Sequence, residues 1–212
     1  TILSLYRSLS STIGFLDEIH TFQQACRNAQ KNGFDGSVWE ASIRCYLIDF
    51  LEHYKQIFSA ALEYIGQNDV YEKYAQAFRK DALFAGELLC LARDAGSYSA
   101  LSEKISAYVP ERLASLRGVS MDEKMNFYKE ARADFSKEVR RIAKEYYSYS
   151  EDTLCEALDG TASALADLSV FLHAFEMRFS REKRRRKLVT FADMERLTLS
   201  LLWDRENDAP SE

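Results

Sequence analysis

The sequence predicts an all-α fold, an elongated bundle of about six or seven helices, and three observations carry that prediction. Apolar residues return at three- and four-residue intervals along most of the chain, as one buried helix face requires. Only two prolines and eight glycines punctuate 212 residues, so long helices meet few breaks. No stretch alternates apolar and polar residues convincingly over the length of a strand, and there is no internal repeat or low-complexity segment.

The elements follow in order. Ile2, Leu5, Tyr6 and Leu9 predict a helix over about 2–10, and Leu16, Ile19, Phe22 and Cys26 a second over about 14–31. Asn32-Gly33-Phe34-Asp35-Gly36 reads as a turn with Gly33 as the helix C-cap. Ser37 caps the next helix, with Glu40 three residues on. Its stripe is Trp39, Ile43, Leu47, Phe50, Tyr54, Ile57, Ala61 and Ile65, ended by Gly66. A helix over about 69–94 carries Tyr74, Phe78, Ala85 and Leu88, with Asp81 in line with them. An acid on an apolar stripe needs a partner, so Asp81 is expected in an internal salt bridge or cap. Gly96-Ser97 breaks the chain before a short helix over 98–108, and a loop or helical turn follows Pro110 as far as Gly118. Ser120, with Glu123, is expected to cap a helix striped by Met121, Met125, Tyr128, Phe135, Val139, Ile142 and Tyr146. Ser150 begins the last long helix, with Leu154, Leu158, Leu165, Leu168, Leu172, Phe175 and Phe179 on one face. Gly160 within it suggests close packing or a slight bend.

Several chemistries are excluded by what is missing. There is no Gly-x4-Gly-Lys-Ser/Thr phosphate loop and no acidic Walker B segment, so these residues alone do not bind and hydrolyse ATP. His20, His53 and His173 stand on separate helices, without partners at metal-ligand spacing. No Ser/His/Asp or Cys/His arrangement appears, and neither a catalytic residue nor a metal site is expected. Cys26, Cys45, Cys90 and Cys155 form no Cys-x-x-Cys pair and read as small buried hydrophobes in a reducing, cytoplasmic compartment. No apolar run reaches the length of a membrane span, and no signal-peptide pattern is present. A net charge of −5 gives no general attraction to nucleic acid, so any such contact must be local. The aromatic residues, 13% of the chain, fall almost entirely on core stripes.

One local patch exists. From Arg178 to Lys187 there are seven basic residues against one acid, Glu182. Continuing the last long stripe puts Lys183 and Arg186 in register with it, which a bundle core does not accept, so the helix is expected to run beyond the bundle. Leu188–Phe191 is a short extended connector, and a new helix follows. Thr190 caps it with Asp193 three residues later, Val189 and Met194 are placed as a hydrophobic staple, and Met194, Leu197 and Leu201 repeat at helical spacing.

Leu188-Val189-Thr190-Phe191-Ala192-Asp193-Met194-Glu195, after a Lys/Arg-rich helix end, resembles UvrD-like superfamily-1 DNA helicases. In that family an Asp-Phe-x-Asp-Leu segment leads from a helical insertion back into the first motor domain. The match is similar above all to the A subunit of AddAB-type helicase–nucleases, where Glu commonly follows the Leu. Thr190 stands for the first Asp and Met194 for Leu, and both preserve a helix start. The motif covers about eight residues, and the Leu168, Leu172, Phe175, Phe179 helix before it also looks like the family's.

The resemblance implies that residues 1–187 are a helical insertion (subdomain 1B), that 188–204 re-enter the first motor domain, and that 205–212 are a polar tail. It implies a parent that is an ATP-dependent DNA helicase, nuclease and exonuclease acting in double-strand break repair and recombination. ATP and Mg2+ would be the parent's cofactors, with none held here. DNA, the remaining motor domains and a second helicase–nuclease subunit would be partners, with no membrane contact. Lys183, Arg184 and Arg186 are the expected nucleic-acid-binding residues, and Thr190, Phe191 and Asp193 the structural helix start. On this view the sequence, which opens at Thr1 without Met, is a piece of a longer chain. Leu188, Val189, Phe191, Met194, Leu197, Leu201 and Trp203 then lack a partner domain, and the final helix folds back, self-associates or stays mobile. The competing reading is a non-enzymatic helical protein-interaction module whose stripes bury partner helices.

Overall fold

The structure, a computed structural model, describes residues 15–94, 96–116, 121–204 and 209–210. The helix expected over 2–10, the cap expected at Ser120, the loop end at Gly118 and most of the polar tail lie outside the described residues, as does the side chain of Trp203. The fold is all-α. Seven helices are described: α1 Phe15–Asn32, α2 Val38–Gly66, α3 Glu72–Arg93, α4 Tyr98–Ser106, α5 Glu123–Tyr146, α6 Glu151–Arg186 and α7 Phe191–Leu202. A single 3-10 turn, Asp69–Tyr71, precedes α3. After α7, strands β1 (Trp203–Asp204) and β2 (Ala209–Pro210) form a two-residue antiparallel pairing. The chain divides into two compact units, residues 32–155 and residues 1–31 with 156–212.

In the unit of residues 32–155, α2 opens at Ser37, whose Oγ accepts from the Glu40 N–H at 3.2 Å. Gly33 and Gly36 hold the preceding turn at φ +94° and +76°, where a side chain would be strained. Helix α2 runs antiparallel to α3: the Arg44 guanidinium donates to the Ala92 and Gly96 carbonyls at 2.9 and 2.7 Å, and Phe58 meets Phe78 edge to face.

The buried positions of α2 are Glu40, Leu47, Leu51, Phe58, Ala61 and Ile65. They are spaced by three, four or seven residues, as a 3.5-residue repeat requires, which keeps one seam facing a neighbouring helix. The sequence stripe drifted off this seam. Phe50, Tyr54 and Ile57 are only half-buried, while Leu51 and Phe58, absent from that stripe, are fully buried. Helix α3 keeps the same repeat in Tyr74, Phe78, Asp81, Ala85, Leu88 and Ala92, and α5 in Met125, Tyr128, Arg132, Phe135, Val139 and Ile142. Phe135 stacks on Phe50 at 5.5 Å and meets Phe58 edge to face at 5.0 Å.

Asp81 and Arg132 occupy seam positions, and both are buried. Arg132 Nε donates to Asp81 Oδ2 at 2.5 Å, Tyr108 OH donates to Oδ1 at 3.0 Å, and Arg132 Nη2 donates to the Glu111 carbonyl at 2.6 Å. Burial pushes the Asp81 carboxyl above its usual value, and Arg132 and Tyr108 pull against that. The expected salt bridge of Asp81 is therefore present. The start of α5 differs from expectation: Asp122 is the N-cap, its Oδ1 accepting from the Met125 N–H at 2.7 Å. Asp122 also receives hydroxyl bonds from Tyr64 and Tyr71, at 2.6 and 3.0 Å, which fasten it to the end of α2 and to the 3-10 turn after it.

In the other unit the described residues form one small cluster. Ile19 of α1 packs with Leu172 of α6, flanked by Leu16, Leu165, Leu168 and Phe175. Gln23, a buried side chain on α1, donates from Nε2 to the Ala162 carbonyl at 3.2 Å. Within α6 only Ala162 and Leu172 are fully buried. Gly160 does not mediate close packing, because a Cβ there would meet nothing within 4 Å. Cys45 and Cys90 are exposed, which corrects their reading as buried hydrophobes; Cys26 alone is fully buried. Among the described residues no helix is long and apolar enough to cross a membrane, and no group of His, Cys, Asp or Glu is placed to hold a metal ion.

Candidate nucleic-acid interface

Four of the seven basic residues, Lys183, Arg184, Arg185 and Arg186, form the last turn of α6, where the helix dipole is negative. The helix then stops at a side chain that does not favour stopping it. Lys187 adopts φ +53°. Its N–H donates to the Arg184 carbonyl at 3.2 Å, and the Leu188 N–H reaches back to the Lys183 carbonyl at 2.9 Å. These two bonds make a Schellman ending with lysine where glycine is usual.

The next helix starts three residues later. The Asp193 N–H donates to Thr190 Oγ1 at 3.2 Å, and Asp193 Oδ2 accepts from the Thr190 N–H at 2.9 Å and from its hydroxyl at 2.7 Å. This is a reciprocal capping box that begins α7 at Phe191. The proposed staple leaves its members largely in solvent, with Val189 65% and Met194 47% exposed.

Lys183 joins the two helix ends. Its Nζ lies 2.5 Å from Asp193 Oδ1 and 4.6 Å from the centre of the Phe179 ring. Its side chain is 11% exposed. The register that put Lys183 in line with the apolar stripe is thus resolved by a carboxylate and an aromatic face, and not by solvent. The other two candidates differ. Arg184 is exposed and makes no ion pair among the described residues. Arg186 is 62% exposed and rests on Glu182 at 2.5 Å, which Arg185 also holds. Hydrogen bonds from Arg185 and Arg186 keep the Glu182 carboxyl below its usual range. Arg178, Arg181 and Lys187 are exposed as well.

The arrangement offers a cluster of solvated cations around one largely buried lysine. Such a cluster can neutralise phosphates without reading sequence. Sequence reasoning placed the cluster and the capping pair, but it missed Asp193 as the partner of Lys183. That pairing joins residues ten apart across a helix stop, which no helical periodicity reveals.

No family model matches the chain. Among curated proteins, the chain is 22% identical over 208 residues, 98% of its length, to the A subunit of the ATP-dependent helicase/nuclease of Clostridium botulinum. It is 28% identical over 134 residues, 62% of its length, to the protein of that name from Ligilactobacillus salivarius. Over 138 residues, 65% of its length, it is 28% identical to that of Desulforamulus reducens. These matches span only 11–16% of the relatives' own length. The chain is thus similar, over nearly all its residues, to one part of the A subunits of ATP-dependent helicase/nucleases.

Proposed function

We propose that this chain is a DNA-contacting helical subdomain from the A subunit of an ATP-dependent helicase/nuclease. Residues 1–187 serve as the 1B-type insertion and 188–204 as the return to the first motor domain. The whole protein's activity on this reading is ATP-driven unwinding and degradation of DNA ends in break repair and recombination. ATP and Mg2+ act in the motor, and a second helicase–nuclease subunit works beside it in the cytoplasm. The observation that carries the reading is the alignment along 98% of the chain with a clostridial A subunit.

The chain's own contribution is electrostatic. Its net charge of −5 repels phosphate, so contact concentrates at the end of α6. Arg184 and Arg186 present their guanidinium groups to solvent and make the phosphate contacts. Lys183 positions them, because its bonds to Asp193 and Phe179 fix the corner on which they stand.

The test is affinity for duplex and single-stranded DNA as a function of salt. For the chain carrying R184Q and R186Q, the slope of log affinity against log salt is expected to fall by about 2, roughly one for each phosphate no longer neutralised. K183Q is expected to change the slope by less. Equal affinity and equal slope in the chain and the R184Q/R186Q variant would remove these residues from the site.

A further inference from the structure

Lys183 is set apart from the other cations of the basic run. Arg178, Arg181, Arg184, Arg185, Arg186 and Lys187 are all exposed, whereas the Lys183 side chain is only 11% exposed and its ammonium group meets Asp193. Arg185 and Arg186 pair within α6, to Glu182 three and four residues away, where water screens the contact. The partner of Lys183 comes from a different helix, and its side chain is itself only 16% exposed.

Neither helix needs this pair in order to end or to begin. The α6 terminus is closed by the Lys187 and Leu188 N–H groups. The α7 start is closed by Thr190 and Asp193 Oδ2, while Oδ1 takes Lys183. The ion pair can therefore part without unmaking either terminus. Lys183 and Arg186, three residues apart, are neighbours on the helix surface, so a released ammonium group joins the exposed guanidinium groups.

A carboxylate and a phosphate offer an ammonium group the same kind of acceptor, a charged oxygen, so one can replace the other. Resting on the DNA-contact reading above, we propose that Asp193 masks Lys183 as a further phosphate contact and that α7 gates it. With α7 seated the lysine is withheld; when α7 moves away the lysine binds a backbone phosphate. Linkage makes the effect reciprocal: whatever draws α7 from α6 tightens DNA, and DNA weakens the seating of α7.

Duplex affinity of the whole chain against salt tests this in three variants. D193N removes the charge that holds Lys183 and keeps an oxygen for the Thr190 N–H. Its slope of log affinity against log salt is expected to steepen by about 0.9, one added phosphate. Between 200 and 50 mM salt its affinity then rises roughly three-fold more than that of the unaltered chain. K183Q/D193N should return to the slope of the unaltered chain. E195Q removes an equal charge from an exposed site on α7 and should leave the slope unaltered. Should D193N loosen α7, the double variant loosens it equally, so a gain confined to D193N still belongs to the lysine. A D193N slope equal to that of the unaltered chain would overturn the proposal. So would a gain that persists in K183Q/D193N or appears equally in E195Q. If R184Q/R186Q still lowers the slope in that case, the contacts of Arg184 and Arg186 stand without the gate. Equal slopes in the unaltered chain and R184Q/R186Q would remove those contacts instead, and a gain confined to D193N would still uphold Lys183.

Discussion

Among the described residues, the two units bury their apolar side chains very differently. In residues 32–155, three helices meet along seams of 3.5-residue spacing, with Phe58, Phe78 and Phe135 all completely buried. In the other unit, the 36-residue α6 buries only Ala162 and Leu172, and Val170, Phe171 and Met177 are about half exposed or more. On α7, Phe191 is 83% and Leu201 76% exposed. The first region spends its apolar residues on itself and is specified by polar contacts inside the seam. The second is held at its corner by polar contacts and keeps apolar surface open, as interaction surfaces do.

The largest expected effect breaks the seam of the first unit. Arg132→Ala leaves Asp81 buried without its cation and is expected to cost about 3–5 kcal/mol, read by urea denaturation. The pair D81L/R132M should restore most of that, since well-packed apolar replacements of buried ion pairs are often neutral or stabilising. A double variant as unstable as R132A would show that the pair supplies net stability and not only register.

A smaller effect separates buried from open residues in the second unit. Leu172→Ala should cost about 2–5 kcal/mol, because a fully buried leucine leaves a cavity. Leu201→Ser, at an exposed site, should leave stability within about 0.5 kcal/mol. It should lower the apparent mass in light scattering if α7 self-associates, and truncation after Lys187 should do the same. A monomer with α7 intact and unchanged by truncation would show that the open apolar face does not bring copies together.

Acid sharpens the comparison further. The Glu138 carboxyl, bonded first by Arg141 and then by the Tyr46 hydroxyl, is held down at about 2, against an ordinary 4.5. A depressed carboxyl contributes stability that is complete above 4.5 and is lost as pH falls through about 2. Melting of the first unit should therefore decline across that window, and less steeply in E138Q. A small gain is expected at Lys187. Glycine accepts its φ of +53° without strain, so K187G should gain about 0.5–1 kcal/mol for the α6 ending, seen as slower amide exchange there.

How much of this was legible beforehand depended on the range of each interaction. The helices within the described residues, the Ser37 cap and the Thr190–Asp193 start came from contacts three or four residues apart, which a linear reading captures. The need of Asp81 for a partner was also visible, because an acid stood in an apolar row. Its partner was not named, although Arg132 sits in the gap between Tyr128 and Phe135 where the 3.5-residue repeat asks for a core residue. Reading α2 with that repeat would also have found Leu51 and Phe58. The Asp122 cap was missed because Ser120 and Glu123 already satisfied the local pattern, whereas Asp122 is chosen by hydroxyls of Tyr64 and Tyr71, more than fifty residues away.

The corner at Lys183 has a mechanical meaning. A load drawn along α7 passes through the Lys183–Asp193 contact and the cap bonds around Thr190, which act over a few tenths of an ångström. Such a joint is stiff under small displacement and gives way abruptly past it, so whatever moves α7 either carries the tip of α6 with it or snaps the joint open.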